Sequence, residues 1–183
     1  PTDPSLFKIA NVEDDMKSII ADVRDMDKLK EEIFKFKPEI VIHMAAQSLV
    51  QGSYDDPVET FSTNVMGTVN LFEAVRVSES TKVVINVTSD KCYEERELDR
   101  GFKETDPLGG HDPYSSSKGC SELITSAYRN SFFKKNNNIA LASVRAGNVI
   151  GGGDWAKDRL IPDITKGILK NEVIKIRNPN FIR

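Results

Sequence analysis

Tyr114 and Lys118 stand four positions apart in the string DPYSSSK, residues 112–118, and this spacing is the strongest chemical signal in the chain. Asp112 and Pro113 can start a helix, which would set the phenol and the ammonium one turn apart on the same face. A phenol ionises at about pH 10 and is a poor base at neutrality. A neighbouring ammonium favours the phenolate and lowers that pKa, each unit corresponding to about 1.4 kcal/mol. Such a pair suits the removal of a hydroxyl proton while a cofactor takes the hydride. The spacing alone also fits an ordinary exposed helix start. Context favours chemistry: Thr88 and Ser89 end an apolar run, where a hydroxyl could bond the same substrate oxygen.

Other reactive residue types point less sharply. His43 closes an apolar run and reads as a satisfied core histidine, whereas His111 lies in a Gly-rich loop and is expected to face solvent. Cys92 reads as packing. With no histidine cluster, Cys92 and Cys120 are too few for a zinc site, so no metal is expected. Without a signal-peptide pattern they imply reduced thiols in a cytoplasmic setting.

The elements that must position these residues follow from periodicity. Apolar runs at Glu39 to Met44, Lys82 to Val87, Ile139 to Val144 and Val173 to Ile176 are expected as strands. Continuous rather than alternating hydrophobicity predicts parallel strands buried on both faces. Helical spacing places Leu29, Ile33 and Phe36 on one face, and Val58, Phe61, Val65, Phe72 and Val75 on another. Ile161, Ile164 and Ile168 repeat the pattern, with Pro162 as a first-turn proline. Strands alternating with helices imply crossover units and an α/β fold, a doubly wound parallel sheet of the NAD-binding Rossmann type. Ligands in such sheets sit beyond the carboxyl ends of the strands, which directs attention to residues 45–47, 88–91 and 145–154. A partial dinucleotide-binding domain is expected over residues 1–146, and the start of a substrate-binding portion over 147–183.

Bulk composition excludes several classes. The 183 residues carry a net charge of −3, with Lys and Arg dispersed, so nothing argues for nucleic acid. No apolar run reaches membrane-spanning length. A dinucleotide sheet normally opens with a G-x-G-x-x-G turn whose helix N-terminus holds the pyrophosphate. The triplet Gly151 to Gly153 comes too late to be that turn. The chain is therefore expected to be a fragment, starting after the first βαβ unit, with weak NAD affinity when isolated.

The strings HMAAQ (43–47), STNVMGTVNLFEAV (62–75), VTSDKCY (87–93), DPYSSSK (112–118) and VRAGNVIGGGDWAKDRLIPD (144–163) resemble the extended short-chain dehydrogenase/reductase family, and within it the branch that dehydrates CDP-glucose. The resemblance implies a lyase that uses bound NAD to convert CDP-glucose to CDP-4-keto-6-deoxyglucose, a step towards deoxysugars of bacterial surface polysaccharides such as O-antigen. A nucleotide-sugar 4-epimerase, or a non-catalytic protein on the same fold, is the alternative. It implies roles residue by residue. Ser89, Tyr114 and Lys118 match the family's catalytic triad, with Tyr114 and Lys118 also meeting the cofactor and Ser89 the substrate. Asp90 would be the acid of the dehydration and Lys91 its base or electrostatic partner, where many nucleotide-sugar dehydratases have Asp-Glu. Asp22 and Val23 match the adenine contact, although Asp22 also suits a helix cap. Ala45, Ala46 and Gln47 match the turn over the cofactor ribose and phosphates, and Asn64 a helix asparagine that supports the catalytic network. Asn148, Arg159, Arg177 and Arg183 match diphosphate and sugar contacts, with Arg177 and Arg183 equally readable as surface charges. Gln51 and Gly52 depart from an arginine expected after "LV". A homodimer or higher homo-oligomer follows by analogy.

Overall fold

The computed structural model describes residues 3–96, 99–137, 139–156, 158–176 and 179–180. The chain forms two compact units, one of residues 21–147 and one of residues 1–20 with 148–183. Its helices are α1 (Leu6–Ile9), α2 (Met26–Phe36), α3 (Val50–Asp55), α4 (Pro57–Phe61), α5 (Gly67–Arg76), α6 (Pro113–Tyr128) and α7 (Leu160–Lys170). A π-helical stretch at Ser62–Met66 joins α4 to α5, and another at Arg129–Asn137 continues α6.

The larger unit is built on strands β1 (Ile40–His43), β2 (Val83–Val87) and β3 (Ala140–Val144), all parallel and in that order. Local chemistry sets the helix ends. Asp25 caps α2 by accepting the Lys28 N–H at 2.9 Å, and Asp112 caps α6 by accepting that of Ser115 at 2.9 Å. The core gathers Leu71, Phe72, Val75, Val84, Phe133, Ile139 and Leu141, with Leu29, Ile33, Val41, Ile124 and Tyr128 packed against it. Phe72, Tyr128 and Phe133 pack at centroid distances of 5.3–6.1 Å.

The parallel α/β architecture is as expected, but three details differ. Among the described residues of this unit only one sheet face is covered: Ile40 and Ile42, on the opposite face, remain 60% and 57% exposed. A continuous apolar run registers a demand for cover on both sides, and α2, α5 and α6 supply it on one. On the helices, Phe36 and Val58 are exposed although Leu29, Ile33, Phe72 and Val75 pack inward.

The third difference lies in the smaller unit, where residues 173–176 form no strand. Asn171 adopts the left-handed conformation after α7, and the Asn171 and Glu172 N–H groups donate to Ile168 and Gly167. This is a Schellman turn, and two residues beyond it Ile174 folds back on the helix, so close to Gly167 that a Cβ there would meet it at 2.6 Å. The run closes a helix instead of pairing. Ile161 and Ile168 are exposed, and Pro162 and Gly167 form the buried side of α7.

Candidate active site

The site grows from the carboxyl end of β2. Beyond Val87 the chain continues to follow β3, with the Thr88 N–H donating to the Val144 carbonyl at 2.8 Å and that of Asp90 to Ala146 at 3.0 Å. Ser89 then turns the chain into a single 3-10 turn, Asp90–Cys92. Its hydroxyl accepts the Lys91 N–H at 3.2 Å and donates to Asp90 Oδ1 at 3.1 Å. Ser89, Asp90 and Lys91 are thereby presented together at the strand end. Cys92 is fully buried with its thiol pushed up to about 11 by that burial, as suits packing.

Helix α6 brings the redox candidates to the same place. Pro113 and Tyr114 are its first two residues, and Ser117 Oγ bonds the Tyr114 carbonyl at 2.7 Å. Lys118 is buried, and its ammonium donates to the Val87 carbonyl at 3.3 Å, directly before Thr88. Desolvation lowers the Lys118 pKa. The start of α6 presses on the preceding loop. Gly110 has φ of +133°, and a Cβ there would lie 2.5 Å from the Ser115 backbone; one at Gly119 would lie 2.8 Å from the Gly109 carbonyl.

Asn64 links this helix to β1. It is 2% exposed, accepts the Gln47 N–H at 2.8 Å and donates to the Gln47 carbonyl at 3.0 Å and to Ser117 Oγ at 2.8 Å. It sits in the π-helical stretch, a distortion frequent at functional sites. Gln47 reaches Thr60 Oγ1 at 2.9 Å, which fixes the turn after Ala45 and Ala46. His43 is buried against Thr68 Oγ1 at 3.2 Å. Burial, aided by the nearby Lys118 charge, lowers its pKa to about 4 and keeps it neutral. His111 is exposed.

Farther along the same unit, Asp22 is exposed and bound by the Arg24 guanidinium and N–H, which lower its pKa to about 2. The α2 cap is Asp25, so the capping alternative for Asp22 is corrected. Val23 leans on Gly67, where a Cβ would meet it at 2.6 Å. Asn148 and Arg159 belong to the smaller unit, where Arg159 pairs with Asp154 at 3.0 Å. Arg177 and Arg183 lie outside the described residues. The strand-end cluster thus unites Gln47, Asn64, Ser89, Asp90, Lys91 and Lys118, with Tyr114 in the first turn of α6.

Sequence reasoning overlooked Glu122. It is 5% exposed on α6, accepts Thr88 Oγ1, and holds Ser143 Oγ at 2.8 Å and Arg145 at 3.0 Å. Burial alone would raise its pKa, but these three partners outweigh it and hold the carboxyl below its ordinary value. The available signal was its place four residues after Lys118, on the same helix face. Among the described residues no cluster of His, Cys, Asp and Glu is suited to a metal, and no helix is long and apolar enough to cross a membrane.

The family described as GDP-mannose 4,6 dehydratase matches residues 5–150. The CDP-glucose 4,6-dehydratase of Salmonella typhimurium is 59% identical over all of this chain and 52% of its own length. A UDP-glucose 4-epimerase of Mycolicibacterium smegmatis is 34% identical over 72% of this chain and 41% of its own. Among solved structures, the dTDP-glucose 4,6-dehydratase DesIV of Streptomyces venezuelae, with NAD and TYD bound, superposes with a TM-score of 0.72 at 26% identity, over 82% of this chain and 44% of that one. The UDP-glucose 4-epimerase of Thermus thermophilus, in complex with NAD, gives 0.67 at 31% identity, over 75% and 43%. The chain spans about half the length of the curated relatives it matches.

Proposed function

The chain belongs to the extended short-chain dehydrogenase/reductase family, in the group described as GDP-mannose 4,6 dehydratase, and from that premise we propose that its protein is an NAD-dependent nucleotide-sugar 4,6-dehydratase that converts CDP-glucose to CDP-4-keto-6-deoxyglucose. The observation that carries this reading is the Ser89-Asp90-Lys91 turn set beside the Lys118 ammonium, in a chain 59% identical to a CDP-glucose 4,6-dehydratase.

The residues suit NAD as cofactor. Asp22, kept ionised by Arg24, offers acceptors to the donors of an adenosine, and Ala45 and Ala46 leave the strand end open to close approach. Tyr114 and Lys118 would face the ribose and the sugar. Bound NAD+ would supply the acceptor for the hydride leaving the sugar C4 and, once reduced, the donor that returns it to C6 after water is lost, with a proton going back to C5. Tyr114 would take the C4 hydroxyl proton, with the Lys118 charge favouring the phenolate and Ser89 holding the same oxygen. Asp90 would then protonate the departing C6 hydroxyl, while Lys91 removes the C5 proton or stabilises the enolate. Asn64 would hold the Tyr114–Lys118 helix to the β1 turn through Ser117. Asn148, Arg159, Arg177 and Arg183 would serve the diphosphate, for which arginine forks are suited.

A homodimer is part of the same proposal. Along α4, α6 and the π-helical stretch, Val58 and Leu123 are 77% and 60% exposed, and a shallow groove of about 450 Å³ is lined by Pro57, Val58, Phe61, Val65, Met66 and Cys120. A second copy would cover this apolar surface. The free thiols Cys92 and Cys120 support a cytoplasmic setting.

The test is to incubate the full-length protein with CDP-glucose and a trace of NAD+, and to follow the alkaline absorbance of a 4-keto-6-deoxy sugar. Product without net NADH is expected. Tyr114→Phe should lower kcat by roughly 10³ without changing the melting temperature. C4-inverted sugar as sole product would identify a 4-epimerase instead.

A further inference from the structure

Glu122 lies four residues past Lys118 and eight past Tyr114, on the helix that carries both. Its carboxylate accepts the hydroxyl of Thr88, the residue directly before Ser89, and holds Arg145 at 3.0 Å. The Arg145 guanidinium lies over the Tyr93 ring, 4.8 Å from its centroid, and Tyr93 directly follows the 3-10 turn. Tyr93 stacks in turn on Phe102, with centroids 4.5 Å apart and planes within 6°. One carboxylate therefore grips the Ser89–Cys92 segment at both flanks, directly at Thr88 and through Arg145 at Tyr93.

Stability gives little reason for this arrangement. Desolvating two charges costs about as much as their pairing returns, and apolar residues of similar volume often replace such pairs without loss. Packing also needs no carboxylate at this position. A buried ion pair with two further hydroxyl donors does supply direction, because each partner must keep its geometry or leave a charge unpaired.

We propose that the Glu122–Arg145–Tyr93 chain is a positioning device that fixes Asp90 and Lys91 relative to Tyr114 and Lys118, so that C4 oxidation and water loss act on one bound sugar. The proposal rests on the dehydratase reading for its consequence but not for its geometry. Loosening the grip displaces the acid/base turn, while Tyr114 and Lys118 keep their places on α6. Elimination should therefore slow more than oxidation.

Two measurements on full-length Glu122→Gln, Arg145→Lys and Tyr93→Leu test this. Tyr93 is half-buried and leaves the Glu122 carboxylate paired, so Tyr93→Leu weakens one flank without stranding a buried charge. In single turnovers of CDP-glucose, elimination should slow by about tenfold to a hundredfold, and reduced nicotinamide should accumulate where the parent shows none. Equal slowing of both steps, or no slowing, overturns the positioning role. Amide exchange needs no substrate. Residues 88–93 should exchange about tenfold faster in Glu122→Gln and Arg145→Lys, with residues 83–86 unchanged. Unchanged exchange at 88–93 overturns the grip itself. A parent that dehydrates no nucleotide-glucose sinks the dehydratase reading, and exchange still decides the grip.

Discussion

Two rows of side chains lie two residues apart on one face of one sheet, and they are built from opposite chemistry. Val41, Val84 and Leu141 stand in register across the three strands and meet Leu71, Phe72, Val75 and Phe133. In the next row towards the carboxyl ends stand His43, Asn86 and Ser143, which meet Thr68, Ser121, Thr125 and Glu122. Both rows are mostly buried, yet the first excludes water by contact and the second pairs its polar groups by direction. Close-packed hydrocarbon tolerates small shifts of partner. A chain of hydroxyls, amides and a carboxylate instead fixes α6 against β2 in direction as well as distance, and α6 carries Tyr114 and Lys118. The fold thus places its directional interactions where the proposed chemistry needs aim, and its non-directional ones where it needs only cohesion.

The widest break in that contrast should come from the apolar row. Phe72 is fully buried and touches Tyr128 and Phe133 by its ring. Phe72→Ala should destabilise the fold by about 3–5 kcal/mol, through lost transfer energy and an unfilled cavity. Urea unfolding measures it. Where Phe72→Ala stays folded, its kcat should be near that of the parent, because the polar row is held by hydrogen bonds among His43, Asn86, Ser143 and their partners, in which a phenyl ring takes no part. A large loss of kcat in the folded variant would show that the rows are not separable.

How much of this was legible beforehand follows the same division. Strands 40–43, 83–87 and 140–144 and helices α2, α4 and α5 were visible as apolar runs and apolar period, because non-directional burial leaves a trace in sequence, and α6 was visible from its Asp112-Pro113 start. Tyr114 and Lys118 were visible because their relation is local, one helical turn. Arg145 was visible as a charge just past a strand end, but Glu122 and their pairing were not, since the pair spans 23 positions and arises only once β3 lies beside α6. Val173 to Ile176 misled because a short apolar run reads alike whether it pairs as a strand or folds back on a helix end, as Ile174 does on Gly167. The exposure of Ile40 and Ile42 could not be anticipated either, for an apolar run states a demand without naming its cover.

The next effect is on pH dependence and sharpens the contrast, because only the polar row holds a titratable imidazole. His43 titrates at about 4 when folded and at its ordinary 6.5 when unfolded. Its folded pKa is depressed, so its contribution is fully present above pH 6.5 and is lost as the pH falls towards 4. The loss approaches about 3 kcal/mol over that window. His43→Asn keeps a polar group for Thr68 and removes the titration. Its unfolding midpoint should therefore fall less steeply than the parent's between pH 6.5 and 4. Parallel slopes would mean that His43 is solvated more than its burial implies.

The smallest effect asks whether the polar row carries weight as a network or as separate bonds. Asn86 is 1% exposed and donates to Ser121 Oγ at 2.9 Å and Thr125 Oγ1 at 2.8 Å. Thr125 still donates to the Ser121 carbonyl at 2.7 Å, and Ser121 still meets Thr68 at 3.1 Å, when the Asn86 amide is gone. Asn86→Leu therefore strands acceptors that each keep one other partner, and should cost about 1–2 kcal/mol, less than Phe72→Ala. A larger loss would mean that the bonds reinforce one another along the row. Because Ser121 follows Lys118 by three residues on α6, a cooperative row would also move the ammonium, and kcat would fall with stability. If the bonds act separately, stability falls slightly and kcat holds, which would leave the aim of Lys118 to Asn64, Ser117 and the Val87 carbonyl.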